Sequence, residues 1–449
     1  MEISDLHRLF LACPAGVTTD SRAIKGGEMF FAIRGEKFDG NAYALKALEQ
    51  GARYAVVDRD SEAAASGDER IIPASNTLQA LRALATYHRE NISDGCGRMK
   101  ILALTGTNGK TTTKELIRAA LAAKFDVAAT EGNLNNNIGV PLTLLRLKEG
   151  TPIAIVEMGA SHPGDIKELV DIAHPDFGLI TNVGRAHLLG FGSFEGVCKT
   201  KGELYDYIRG VCGKCFVNAD NEYLTKMVRE REGLSTIPYG ASLQQAEILT
   251  PDERNPFLRM KLSDRAGRRH LVQTHLVGSY NADNVLAAVA VAEEFGVDAE
   301  AAVKAIEAYI PVNNRSQMVR TERGNTLIVD AYNANPSSMA AALGNFASIK
   351  AARKAVLLGD MLELGAESET EHRKVLEMVL SEDIDLAVFA EENFGAAAKE
   401  APKTFKGKVI FAPGSEEVAK YLQDNPLNGY TVLIKGSRGI AMEKVLPYL

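Results

Sequence analysis

With 449 residues, the chain is too long for one ordinary hydrophobic core and calls for two to four domains. Its 46% hydrophobic and 24% charged residues exclude a disordered or fibrous protein. A formal net charge of −7, with lysines and arginines scattered, argues against nucleic-acid partners but leaves room for a small anionic ligand.

The chain opens Met1-Glu-Ile-Ser-Asp5, without the basic and apolar segments of an export signal. No apolar run reaches the ~18 residues of a membrane span, so a cytoplasmic protein is expected. Residues 1–97 read as a first, smaller mixed α/β domain. Met29-Phe-Phe-Ala-Ile33 and Tyr54-Ala-Val-Val57 are strands, and Asn91-Ile-Ser-Asp-Gly-Cys-Gly-Arg98 is a polar linker.

Residues 98–312 form the expected central domain. Ile101-Leu-Ala-Leu-Thr105 is a buried strand, and a helix runs from Lys110 to Leu121. Between them lies Gly106-Thr-Asn-Gly-Lys-Thr-Thr112, a glycine-bearing turn at a strand-to-helix junction. Such a turn directs backbone N–H groups and the positive end of the helix dipole into one concavity. Gly106 and Gly109 allow close approach of an anion, Lys110 can reach outer phosphates, and Thr111 can sit on Mg²⁺. The strict Walker spacing wants glycine at position 104, where Leu104 stands, so the loop is of a shortened type.

Further strands, Ile153–Met158, Gly178–Asn182 and Cys215–Asn218, end in polar residues. That is the pattern of a parallel sheet with ligand groups at its carboxyl edge. Glu157 and His187 at such ends are either hard-cation ligands beside Thr111 or simple strand-end groups. Asn133-Leu-Asn-Asn-Asn137 is either a solvated turn or a contact for substrate. Lys199 and Lys201 neutralise phosphate charge or face water. Cys212 and Cys215 lack the second pair that zinc requires, and buried structural thiols are expected there. Leu258–Leu262 and His270–Val277 form a hairpin of a small antiparallel accessory sheet, and Asn281–Glu294 is an apolar helix.

From Asn313 to Leu449 the parallel pattern returns at Leu327–Asp330, Ala355–Leu358, Leu386–Phe389, Val409–Phe411 and Val432–Ile434, as in a second doubly wound, Rossmann-like domain. The expected fold class is therefore α/β in three domains.

The motifs taken together resemble the ATP-dependent Mur ligases of bacterial cell-wall synthesis, within them the branch that adds D-alanyl-D-alanine. The resemblance rests on Thr105–Thr113, Gly132–Asn136, Val156–Ala160, Ala186–Leu188, Lys201–Glu203, Tyr280–Asn284, Asp330–Met339, Leu358–Gly365 and Lys435–Arg438, in that order over essentially the whole chain. It implies ligation of D-Ala-D-Ala to UDP-N-acetylmuramoyl-tripeptide through an acyl phosphate, with ATP, two Mg²⁺ and CO₂ held as a lysine carbamate. Residues 1–97 would then bind the uridine nucleotide, and no nucleic acid, membrane span or second subunit is implied.

By the same resemblance, Gly106, Thr107, Asn108, Gly109, Lys110, Thr111 and Thr112 hold the ATP phosphates. Asn281 and Asn284 contact adenine; Arg315 and Asp330 bind the nucleotide across a domain cleft. Thr111, Glu157, His187 and Lys201 serve the metals, Lys201 being carbamylated in preference to Lys199. Lys110, His187 and Lys201 are the catalytic set. Ser21, Arg22, Asp39 and Gly40 receive the uridine nucleotide; Asn133, Asn135 and Asn136 contact substrate, and Asn333, Asn335, Ser437 and Arg438 face the dipeptide. One departure stands out: Asn314 precedes Arg315 where many relatives carry glycine, which leaves the geometry of that junction open. The rival readings are a sibling amino-acid-adding ligase, a folylpolyglutamate synthetase-like enzyme, or a P-loop ATPase serving a regulator or transporter.

Overall fold

A computed structural model of the chain describes all residues except 37, 94, 96, 251–255, 313 and 398–404. The expected domain boundary at residue 313 therefore lies outside the described residues.

Four short strands, β1 (Val17–Thr18), β2 (Met29–Phe31), β3 (Tyr54–Asp58) and β4 (Ile71–Ala74), form a first, wholly parallel sheet in that order. Side chains alternate across it. Phe30, Ala55 and Val57 join a small core with Ala44, Ala47 and Leu48, whereas Met29, Phe31 and Val56 face the helix Thr77–Asn91. That helix starts cleanly because the Asn76 side chain accepts from the N–H of Gln79.

The helix Thr77–Asn91 decides how the first unit sits. It packs against the helices Gly139–Leu144 and Asp165–Ala173, so one hydrophobic core runs from Leu6 and Phe10 through Leu84 to Ile101 and Val170. Arg89 is fully buried at the join. Its guanidinium meets Asp176 at 2.8 Å and the carbonyls of Ala173 and His174 at 3.3 Å. Asp176 also binds Arg98 at 2.7 Å and the N–H of Ile101 at 2.9 Å. The polar stretch expected as a linker is thus flanked by a fixed, charge-paired seam.

Two imidazoles reinforce this seam. His7 Nε2 lies 3.0 Å from His88 Nδ1, and His88 Nε2 lies 3.1 Å from the Leu147 carbonyl. Such a chain needs an unprotonated nitrogen on the accepting ring, and burial lowers both pKa values from the ordinary imidazole value. The unfolded chain therefore binds more protons than the folded one as pH falls. The stability these rings contribute is complete above about pH 6.5 and is lost as pH drops through the lowered folded values. Denaturation of wild type should show this decline between pH 7.5 and 5, and the His7→Ala/His88→Ala double variant should show a flatter profile.

The second sheet contains β5 (Lys100–Thr105), β6 (Val127–Ala129), β7 (Ile153–Glu157), β8 (Phe177–Ile180), β9 (Lys214–Asn218) and β10 (Ser235–Tyr239). Its order is β10-β9-β8-β5-β7-β6, all parallel, with β5 near the middle. The four inner strands match the sequence expectation; the edges β6 and β10 were not anticipated. Pro238 within β10 is tolerated there because an edge strand need not donate on both sides. Cys215, on β9, is buried as expected, but Cys212 is exposed at a left-handed turn (φ 54°). The expectation of two buried thiols therefore fails at Cys212, which lies outside the strand.

An antiparallel sheet of β11 (Glu247–Leu249), β12 (Phe257–Ser263) and β13 (Arg269–Val277) adds the expected hairpin. Leu258, Met260 and Leu262 turn inward to the buried helix Ala282–Glu294. The third sheet holds β14 (Gln317–Arg320), β15 (Thr326–Asp330), β16 (Lys354–Gly359), β17 (Leu386–Ala390), β18 (Lys408–Ala412) and β19 (Thr431–Lys435). In the order β14-β15-β19-β16-β17-β18, only β14 runs antiparallel, and β19 inserts between β15 and β16. Among the described residues, no helix is long and apolar enough to cross a membrane.

Candidate active site

The carboxyl ends of β5, β7 and β8 meet the start of the third sheet across a cavity of about 760 Å³. Its floor is the glycine-bearing turn. Gly106 has φ 148° and Gly109 φ 76° before the helix Lys110–Ala122 begins. A Cβ on Gly106 would stand 1.9 Å from Thr181 Oγ1, and one on Gly109 would stand 2.8 Å from Asn284 Oδ1. The strand end of β8 therefore grips the loop. Thr181 Oγ1 and Asn182 Nδ2 donate to the Asn108 carbonyl at 2.7 and 3.0 Å, and Asn182 Oδ1 accepts from the Asn108 N–H at 2.9 Å. Gly106→Ala should displace this loop at a cost of about 1–3 kcal/mol, seen as weaker ADP binding by calorimetry with the fold intact.

Lys110 curls back over the turn and donates from Nζ to the carbonyls of Gly106 at 2.8 Å and Thr107 at 3.3 Å. Burial lowers its pKa; Glu157 opposes that shift and Arg315 adds to it. Glu157, buried at the end of β7, accepts from Thr111 Oγ1 and from Asn135 Nδ2, each at 2.9 Å. A buried carboxylate, a hydroxyl and an amide beside a phosphate loop are hard donors of the kind Mg²⁺ prefers. Among the described residues no three His, Cys, Asp or Glu side chains converge as a metal group by themselves.

His187 also lines the cavity, at φ 51°, with Nδ1 on the carboxylate of Glu363 from the third sheet's unit. Phe191 meets the His187 ring edge-on at 6.3 Å and lies 6.0 Å from Lys201 Nζ on its other side. Lys201 itself is buried behind the wall, on the helix Phe194–Gly210, and Lys199 on the same helix is exposed. Among the described residues no carboxylate pairs with Lys201. Burial, helped by the nearby Lys110 charge, drives its pKa well below that of an ordinary lysine, so the amine is held toward its neutral form.

The far wall comes from the helix Ala282–Glu294 and the third sheet. Thr113 Oγ1 donates to Asn284 Oδ1, and Asn284 Nδ2 to Asn281 Oδ1, both at 2.9 Å. Asn281 Nδ2 reaches the Val277 carbonyl at 2.9 Å and Ser316 Oγ at 3.3 Å. Asn314 adopts φ 56°, so the junction keeps a left-handed turn without glycine, a conformation asparagine tolerates better than most residues. Arg315 then stacks on Tyr332 at 3.7 Å, with its Nε buried and unbonded. Asp330, closing β15, takes Lys435 Nζ at 2.5 Å and the Ser316 N–H at 3.1 Å.

The two walls touch directly. Asn335 caps the helix Pro336–Ser348 and donates from Nδ2 to Asn108 Oδ1 at 2.7 Å, and Asn108 Nδ2 meets Ser337 Oγ at 3.3 Å. Asn136 and Asn333 also line the cavity, but Asn133 is exposed away from it. Ser437 and Arg438 stand behind the wall: Ser437 Oγ accepts from the Leu362 N–H at 3.0 Å, and Arg438 approaches Tyr332 at 5.5 Å. Ser21, Arg22, Asp39 and Gly40 lie apart from this cavity, after β1 and β2 of the first sheet. Arg22 pairs with Asp20 at 2.8 Å, Asp39 with Arg34 at 3.1 Å, and Gly40 is packed where a Cβ would meet the Ile33 carbonyl at 2.6 Å.

Several wall residues escaped the sequence reading. Thr181 and Asn182 were visible only as a polar strand end, and Tyr332 only as part of the Asp330–Met339 motif. Glu363 and Lys435 likewise appeared only inside the Leu358–Gly365 and Lys435–Arg438 motifs, without a role, and Ser316 drew no role of its own, because their contacts exist only across the junction.

The chain matches three family models: the Mur ligase middle domain over residues 104–292, the Mur ligase glutamate ligase domain over 314–438, and the Mur ligase catalytic domain over 15–89. It is 32% identical to UDP-N-acetylmuramoyl-tripeptide--D-alanyl-D-alanine ligase of Bacillus subtilis (strain 168), over 96% of this chain and 92% of that protein. Among solved structures it resembles MurF from Acinetobacter baumannii, with a TM-score of 0.84 and 28% identity over 99% and 97% of the two chains. MurF ligase from Thermotoga maritima in complex with ADP follows at 0.81 and 26%, over 96% of each chain.

Proposed function

The chain belongs to the Mur ligase family, and from that premise we propose that it joins D-Ala-D-Ala to UDP-N-acetylmuramoyl-tripeptide at the expense of ATP. The products are the pentapeptide precursor of peptidoglycan, ADP and phosphate. The observation that carries the reading is a phosphate loop walled by two units, in a chain like enzymes of that name along its whole length.

A carboxylate resists attack by an amine because its leaving group would be oxide. Transfer of the ATP γ-phosphoryl group to the tripeptide carboxylate gives an acyl phosphate; the dipeptide amine then attacks its carbonyl, and phosphate departs. Both steps gather negative charge, which Lys110 and the loop N–H groups stabilise. Mg²⁺, in one or two sites, would be held by Thr111, Glu157, His187 and carbamylated Lys201, and supplies further neutralisation of the phosphate charge. Arg315 and Asp330 hold the nucleotide from the opposite wall, with Asn281 and Asn284 near its base.

Asn135, Asn136, Asn333 and Asn335 face the reacting ends of the substrates, with Ser437 and Arg438 behind that wall, and Asn133, exposed away from the cavity, stands outside the contact. Ser21, Arg22, Asp39 and Gly40 receive the uridine nucleotide. Residues 1–97, 98–312 and 313–449 act as the uridine, ATP and dipeptide units. Enclosure between walls excludes water from an acyl phosphate that would otherwise hydrolyse. Because one chain supplies every wall, we take the enzyme to act as a monomer, in the cytoplasm where ATP is available. An amine screen tests the reading: D-Ala-D-Ala with the uridine tripeptide should release ADP rapidly, and ADP release independent of any amine would sink it.

A further inference from the structure

His187 and Glu363 stand 176 residues apart in the chain, yet His187 Nδ1 faces Glu363 Oε2 directly. The contact belongs to a docking seam. The Leu189 N–H donates to the Glu363 carbonyl at 3.3 Å, Arg185 Nη1 meets Glu367 Oε2 at 2.9 Å, and Gly365 lies against Leu189. Both partners adopt a left-handed backbone, with φ 51° at His187 and 64° at Glu363, a conformation histidine enters more readily than most residues but glutamate seldom does. Strain of this kind collects where a site, not local chain preference, sets the geometry.

The Glu363 loop is braced from behind. The Met361 N–H donates to Nε2 of the fully buried His372 at 2.9 Å, and the Leu362 N–H to Ser437 Oγ at 3.0 Å. Glu363 itself is 58% exposed, so its contact with His187 adds little to fold stability. Its consequence is chemical. A neutral imidazole carries one N–H; an acceptor at Nδ1 fixes that proton there and leaves the Nε2 lone pair for a cation.

We infer that Glu363 is a positioning residue: docking of the C-terminal unit places its carboxylate on His187 Nδ1 and so presents Nε2 to the metal beside the phosphate loop. Assembly of the metal site is thereby coupled to closure of the two units. The inference rests on the proposed function for the presence of a metal, and on the seam alone for the role of Glu363.

The test uses the full chain with ADP and Mn²⁺ as the probe. Mn²⁺ affinity is read by electron paramagnetic resonance, and the His187 tautomer by ¹⁵N chemical shifts. E363A should weaken Mn²⁺ binding by about 10–100-fold and release the tautomer preference. E363Q, which keeps a neutral acceptor, should fall between E363A and wild type. E367A removes the neighbouring ion pair without touching His187 and should leave Mn²⁺ affinity near that of wild type. Unchanged or tighter Mn²⁺ binding by E363A would overturn the inference, and so would an equal loss in E367A, which would assign the effect to docking alone. A wild-type chain that takes up no Mn²⁺ with ADP would instead overturn the functional reading, and this inference with it.

Discussion

Lys110→Ala is expected to lower the ligation rate by about 10²–10³-fold, the range found when one preorganised charge stabiliser is removed. The side chain contributes twice. In the proposed reaction its ammonium would face the ATP phosphates, and its bonds to the Gly106 and Thr107 carbonyls staple the turn from inside. Lys110→Met keeps the aliphatic stem and loses only charge and donors, so it separates packing from electrostatics. Both variants should keep the wild-type melting transition. Coupled measurement of ADP release is the check, and normal turnover by either purified variant would refute the phosphate-loop assignment.

Lys201→Ala should be close to inactive and partly rescued by a short carboxylate such as acetate. The buried amine, held toward its neutral form, retains the lone pair needed to add to CO₂. Addition forms an N–C bond, releases one proton and leaves a carbamate anion in place of the neutral amine. That change places a negative charge near the Lys110 ammonium, which attracts it. Acetate can enter the space left by the lysine stem and restore the anion but not its tether, so recovery should be partial. Wild-type enzyme should also lose activity in buffer stripped of CO₂. Full activity of Lys201→Ala without additive would remove the carbamate role.

Much of the architecture was legible because buried parallel strands are apolar runs that end in polar residues. The inner strands β5, β7, β8, β9, β15, β16, β17 and β19, and the edge strand β18, announce themselves in this way. The edges β6, β10, β11 and β14 do not. They are short, bonded on one side and only partly buried, so no strong hydrophobic period marks them. The stretch Asn91–Arg98 is polar in composition, but composition could not show that Arg89 and Arg98 converge on Asp176. At position 314 the missing glycine raised a question that the backbone answers, since asparagine enters the left-handed region itself.

The sequence by itself determined the local chemistry: a turn at Gly106 and Gly109 that admits an anion, a lysine and a threonine opening the helix behind it, and polar residues at strand ends. These follow from short-range backbone sterics and from periodicities that need no partner. Only the tertiary structure decided which distant groups share a space: Thr111 with Glu157, Asn108 with Asn335, Arg315 with Tyr332, and His187 with Glu363. Those pairings depend on the order of strands in two sheets and on how the third unit docks. Long-range packing of buried faces sets both, and no local pattern records it.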